Sequence, residues 1–147
     1  MLLSKGIWVV VADSEKALVL RNEGTGREPR LAFVRREEAP EVIVASDAPG
    51  RRADVGQGQR SAMEVPDYTR LNAETFMADL ADDLARAQRR GAFDKLILVA
   101  PPQVLGALRD ALSEGLAAHV VAEIDKTLTK HPLAEIGKIV ASDIDAL

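Results

Sequence analysis

The chain has 147 residues, of which 47% are hydrophobic, and it carries a formal net charge of −4 and no cysteine. This length predicts one domain with a buried core, and the hydrophobic content excludes an intrinsically disordered chain. Without cysteine, disulfide frameworks and thiolate sites are excluded, and with only two histidines and no short ligand motif we expect no metal and no cofactor.

The first part of the chain is typical of antiparallel strands. A valine-rich apolar run at residues 6–13 predicts a central strand buried on both faces. Shorter apolar runs at 17–20 and 31–34 follow after polar turns, which indicates a three-stranded meander. A fourth run at 42–45 is strand-like but lies between a proline and a glycine-containing turn, so its state stays open.

The apolar run at residues 6–13 is too short for the core of a signal peptide, and no later run in the sequence is longer. A membrane-spanning helix needs about 20 apolar residues. We therefore expect a cytoplasmic protein that does not contact a membrane.

Helices and strands alternate in the second part. Asn72 can cap a helix in which Phe76, Leu80 and Leu84 share one face, and Gly91 ends it. The later predicted elements are a strand at 96–100, a helix at 102–112, a strand at 120–124 and a helix after Pro132. Such alternation predicts parallel strands joined by right-handed crossovers.

Together, these elements predict a single α/β domain over residues 1–147. Its mixed five-stranded sheet has three antiparallel strands followed by parallel strands with crossover helices, an arrangement compatible with the ribonuclease-H-like fold. No internal repeat and no low-complexity tract is present in the sequence.

A polar segment at about 47–70 lacks hydrophobic periodicity and predicts a long loop between the two parts. At its centre two glycines alternate with two glutamines, and three arginines flank them. Glycine lets backbone N–H groups approach a ligand closely, and a glutamine amide both donates and accepts hydrogen bonds. The candidate binding residues are Arg51, Arg52, Gly56, Gln57 and Arg60. A surface loop without a function is the open alternative.

Separated sequence blocks at residues 8–13, 49–51, 93–102, 105–109 and 123–130 resemble the bacterial host attachment protein family. That family is similar to the middle domain of the class 1 peptide-chain release factor of eukaryotes and archaea. In that domain a Gly-Gly-Gln tip precedes a Ser-Ala pair and a long helix, and the glutamine promotes ester hydrolysis in the peptidyl-transferase centre.

The corresponding position here holds Gly58 and Gln59, followed by Arg60 and then Ser61-Ala62. This motif departs from the family pattern in two ways: Gln57 separates the glycines, and Arg60 precedes the serine. The resemblance implies that Gln59 and Gly58 are catalytic, and that the partner is a ribosome or a tRNA.

Three functions stay open at this point. The first is an RNA- or ribosome-associated factor that acts on peptidyl-tRNA, and the second is a non-enzymatic domain whose loop orders on contact with a protein partner. The third is a metal-dependent nuclease with carboxylates at strand ends, Asp13 and Asp125. Against the nuclease, the strand between them ends in Ala100 and two prolines, and Asp13 is more simply a turn residue.

Overall fold

The structure is a computed structural model that describes residues 1–39 and 57–146, with side chains for all of these except 57–72. Its strands are β1 (Trp8–Ala12), β2 (Lys16–Asn22), β3 (Leu31–Glu38), β4 (Leu96–Ala100) and β5 (Val120–Asp125). Its helices are α1 (Gln57–Arg89), α2 (Pro102–Ala111), α3 (Glu114–Ala117) and α4 (Leu133–Asp145).

The strands form one mixed sheet in the order β3-β2-β1-β4-β5. β2 pairs antiparallel with β1 and with β3, whereas β4 pairs parallel with β1 and with β5. The predicted fold class, a single α/β domain with a five-stranded mixed sheet, is confirmed. The run at 42–45 lies outside the described residues.

Both faces of the sheet carry a hydrophobic core. On one face, Val10 and Leu98 pack with the buried side of α1, including Leu80 and Leu84, and with α2. On the other face, the neighbouring positions of the same strands pack with Ile136 and other residues of α4. Alternate residues of a strand point to opposite faces, so strands covered on both sides must be apolar throughout.

The predicted start of the first helix at Asn72 is wrong, because α1 begins at Gln57. The described part of the segment predicted as a loop at about 47–70 therefore has a helical backbone, and residues 47–56 lie outside the described residues. Gly58 and Pro66 disfavour helix, but the intervening run from Arg60 to Glu64 contains good helix formers. Membrane crossing is not indicated, since no helix in the described part of the chain has the required length and apolarity.

A β-bulge interrupts the edge strand β3 at Val34. Leu20 pairs with Phe33, whereas Val19 pairs with Arg35, so one extra residue of β3 stands between these pairs. Residues on both sides of a bulge keep their pairing but shift in phase. Arg36 is thereby brought to the same face as Phe33, and its guanidinium lies 5.0 Å from the centre of that ring.

The fully buried Asn22 ties the end of β2 to two neighbouring segments. Its Nδ2 donates to the carbonyl of Leu3 at 2.7 Å, and its Oδ1 accepts from the N–H groups of Gly24 at 3.0 Å and Arg30 at 2.8 Å. One side chain thus satisfies three buried or half-buried backbone groups.

Replacing Asn22 with alanine should lower the free energy of unfolding by about 2–4 kcal/mol, because three backbone groups lose their partner at once. Urea unfolding of the Asn22→Ala variant measures this as a lower midpoint with an unchanged slope. The matched control is Gln103→Ala at an exposed amide, for which we expect less than about 0.5 kcal/mol. Equal losses in both variants would contradict the role of Asn22.

Candidate functional site

The predicted catalytic and binding residues fall partly within the first turn of α1. The helix begins with Gln57, Gly58, Gln59 and Arg60, whose backbone is helical. Arg51, Arg52 and Gly56 lie outside the described residues. The first four N–H groups of an α-helix have no partner within the helix and carry the positive end of its dipole.

The first turn of α1 lies far along the helix from the described core residues of the same helix. Its 33 residues correspond to about 50 Å at a rise of about 1.5 Å per residue. The first buried side chain of α1 among the described ones is Phe76, about 25 Å along the helix from Gln59. By contrast, the five residues of β4 span only about 17 Å.

The direction of α1 relative to the sheet follows from the topology. α1 ends at Arg89, shortly before β4 begins at Leu96, so its carboxyl end lies at the amino edge of the parallel strands. The core-packing stretch from Phe76 to Ala87 covers about 17 Å, which is the length of β4. The chain direction of α1 therefore places its beginning toward the carboxyl edge of the sheet.

The carboxyl edge itself is organised by Asp13. Its Oδ1 accepts from the N–H groups of Glu15 and Lys16, at 2.7 and 2.8 Å, which closes the β1–β2 turn. Its Oδ2 accepts at 2.5 Å from the hydroxyl of the buried Thr129, 116 residues away, in the connection between β5 and α4. The interpretation of Asp13 as a turn residue is confirmed.

These contacts set the protonation of Asp13. Burial alone would raise the pKa of its carboxyl, but the hydrogen bond from Thr129 and those from the two turn N–H groups hold the pKa below its ordinary value. Asp125 at the end of β5 is exposed. Among the described side chains, those of residues 1–39 and 73–146, no three His, Cys, Asp or Glu come close enough to hold a metal ion, so the nuclease hypothesis gains no support here.

An open cleft of about 510 Å³ at the opposite, amino edge was not predicted from the sequence. Lys5 and Lys95 line it, together with two glycines, Gly6 at φ 91° and Gly91 at φ 77°. At such φ values a side chain would strain the backbone. These two glycines were the sequence signal from which the cleft could have been predicted, although Gly91 was interpreted only as a helix terminator.

Replacing Thr129 with valine keeps its shape and removes the hydroxyl, so we expect a loss of about 1–2 kcal/mol in unfolding free energy at pH 7. Asp13 has a lowered pKa, so the contribution of this hydrogen bond is present above the unfolded-state pKa and declines as pH falls through the folded-state pKa. The difference between wild type and Thr129→Val should therefore shrink below about pH 4. Denaturant unfolding at several pH values measures it.

The matched control is Thr127→Val, two residues away and exposed, which should leave stability unchanged at every pH. A Thr129→Val loss that is the same at pH 7 and in acid would show that the ionised Asp13 carboxylate is not the partner that matters.

The model of a family described as Bacterial archaeo-eukaryotic release factor family 12 matches residues 6–140. Among solved structures, the chain is similar to the archaeal translation termination factor aRF1, at 9% identity and a TM-score of 0.46, over 95% of this chain and 39% of that one. It is also similar to a structure described as an archaeal protein, at 10% identity and a TM-score of 0.47, over 95% of this chain and 38% of that one.

The chain thus spans less than half the length of these two solved chains. No curated protein matches it.

Proposed function

The chain belongs to bacterial archaeo-eukaryotic release factor family 12, and on that premise we propose that it is a cytoplasmic factor that associates with the ribosome or with tRNA. The family match over most of the chain is the observation that carries this proposal. The finer resemblance to host attachment proteins belongs to the same proposal and adds no separate chemistry.

The proposed contact is the Gly–Gln segment at the beginning of α1. Two features support this choice: the segment forms the first turn of a 33-residue helix, and the sequence places Arg51, Arg52 and Arg60 at and before the start of this helix. Arginine contacts to phosphate position a protein on RNA without reading its sequence. The N–H groups at the beginning of a helix also favour an anionic ligand.

For chemistry, we propose that Gln59 promotes hydrolysis of the peptidyl-tRNA ester, with Gly58 permitting close approach of the backbone. A glutamine amide is not a base, so its contribution would come from orienting water and from hydrogen bonding to the oxygen that gains charge. Water attacks the carbonyl carbon of the ester, and the bond from this carbon to the ribose oxygen of the tRNA breaks. One proton of the water ends on that ribose oxygen, and the peptide is released as a carboxylic acid that gives its proton to solvent.

Ribosome binding is tested by co-sedimentation of the purified protein at several salt concentrations. Each phosphate contact contributes a slope of about −0.7 to −0.9 in a plot of log K against log salt. The triple variant Arg51→Gln, Arg52→Gln, Arg60→Gln should therefore bind more weakly, with a slope reduced in magnitude by about 2 to 3.

The control triple variant is Arg27→Gln, Lys130→Gln, Lys138→Gln, which removes the same charge from exposed positions elsewhere. Equal effects of the two triple variants would show that binding arises from non-specific electrostatic attraction and not from contacts of these three arginines. No sedimentation of the wild type at any salt concentration would favour the alternative, a domain that binds a protein partner.

Hydrolysis is tested on stalled ribosome–nascent-chain complexes by measuring released peptide. We expect wild-type protein to release peptide and Gln59→Ala to be slower by about 100-fold, the usual effect of losing one transition-state hydrogen bond. Gln103→Ala, an exposed glutamine at the start of α2, should release peptide at the wild-type rate. Equal rates for wild type and Gln59→Ala would remove Gln59 from the mechanism while leaving ribosome binding to stand on the sedimentation result.

A further inference from the structure

A cavity of about 40 Å³ lies between the edge strand β3 and the packed part of α1. Apolar side chains from β2 and α1, including Val19, Leu80 and Leu84, form part of its wall. The wall also includes Trp8 and the charged residues Arg35, Glu37, Asp83 and Arg90. The cavity is separate from the Gly–Gln segment, because its α1 residues belong to the packed part of the helix.

Two polar atoms of this wall have no hydrogen-bond partner among the described residues. They are the indole Nε1 of Trp8 and Oε2 of Glu37, and both are buried. Trp8 is only 6% exposed, and its ring packs against Phe93 with centroids 4.7 Å apart. Leaving such a group unpaired costs about 1–3 kcal/mol, so buried polar atoms are normally satisfied by protein or by ordered water.

The neighbouring arginine side chains do not supply a hydrogen bond to Oε2 of Glu37. The Nε of Arg35 lies 2.9 Å from Oε2 of Glu37, but its N–H is not aligned with that oxygen, so the contact is an ion pair only. The Nη2 of the same arginine is 3.5 Å from Oδ2 of Asp83, which also pairs with Arg86. The charged groups around Glu37 are Arg35, Asp79, Asp83, Arg86 and Arg90.

We propose that this cavity is a binding site for one or two ordered water molecules, which accept a hydrogen bond from the Trp8 indole N–H and donate one to Oε2 of Glu37. A ligand here must both accept and donate, and water does both. A buried water needs roughly 10–15 Å³ of such space and two to four polar partners. The cavity meets both requirements.

The water site joins three elements of the fold, because Trp8 belongs to β1, Glu37 to β3 and the adjoining Asp83 to α1. Burial, followed by the neighbouring Asp83 carboxylate, raises the pKa of Glu37 above its ordinary value, and Arg35 offsets part of this. A raised pKa means that the protonated form stabilises the fold. This contribution is present at pH values below the ordinary pKa of glutamate and is lost as pH rises through the folded-state pKa.

The site is tested by nuclear magnetic resonance on ¹⁵N-labelled protein, in which the single tryptophan gives one indole N–H signal. We expect a cross-peak between this N–H and a long-lived water molecule. We also expect the signal to shift with pH, with a midpoint above the ordinary pKa of glutamate, because ionised Glu37 holds the water more strongly.

The variant Glu37→Gln should abolish the pH-dependent shift, whereas Glu38→Gln should retain it, since Glu38 pairs with Lys16 at the next position of β3 and lies on the other face. Filling the cavity with Ala87→Leu should remove the water cross-peak. A wild-type indole N–H that shows no water cross-peak, or a pH-dependent shift that survives in Glu37→Gln, would overturn the proposal.

Discussion

Burial of the two central strands on both faces is the constraint on which the rest of the structure depends. Every residue of β1 and β4 is buried, and each buried Val, Leu or Ile contributes about 1.5–3 kcal/mol through loss of apolar contact with water. Strands of this kind need a layer of helix on each side. The sheet therefore fixes α4 on one face and the Phe76–Ala87 stretch of α1 on the other.

A core built from such apolar strands and helices contains few polar side chains, and each of them makes specific hydrogen bonds. Asn22 and Thr129 are the buried polar residues among those described, and each joins a chain segment to the sheet: Asn22 holds the amino-terminal segment and the β2–β3 turn, and Thr129 holds the β1–β2 turn through Asp13. Hydrophobic burial is non-directional. These hydrogen bonds determine how the segments are oriented on the sheet, because they form in only one arrangement of the segments.

The sequence predicted those structural features that depend on residues close together in the chain. The strands and the apolar face of α1 follow from periodicities of two and 3.6 residues, which a single sequence displays. The start of α1 was missed because Gly58 and Pro66 argue against helix individually, and helix formation over a long stretch is cooperative. The contacts of Asp13 with Thr129 and of Arg35 with Asp83 join residues far apart in the chain, and the bulge at Val34 shifts the phase of β3. None of these features leaves a local signal in the sequence.

The helical backbone at Gln57–Arg60 changes how the Gly–Gln segment would act. A loop contributes through adaptability, but a group that orients water must be held to within a fraction of an ångström, which helices achieve better than loops. The anchor for such precision is the packed part of the same helix, where Leu80 and Leu84 are buried. Pro66 lies between Gln59 and this anchor in the sequence and has no N–H to donate to a helical hydrogen bond, so the link between the two lacks one such bond.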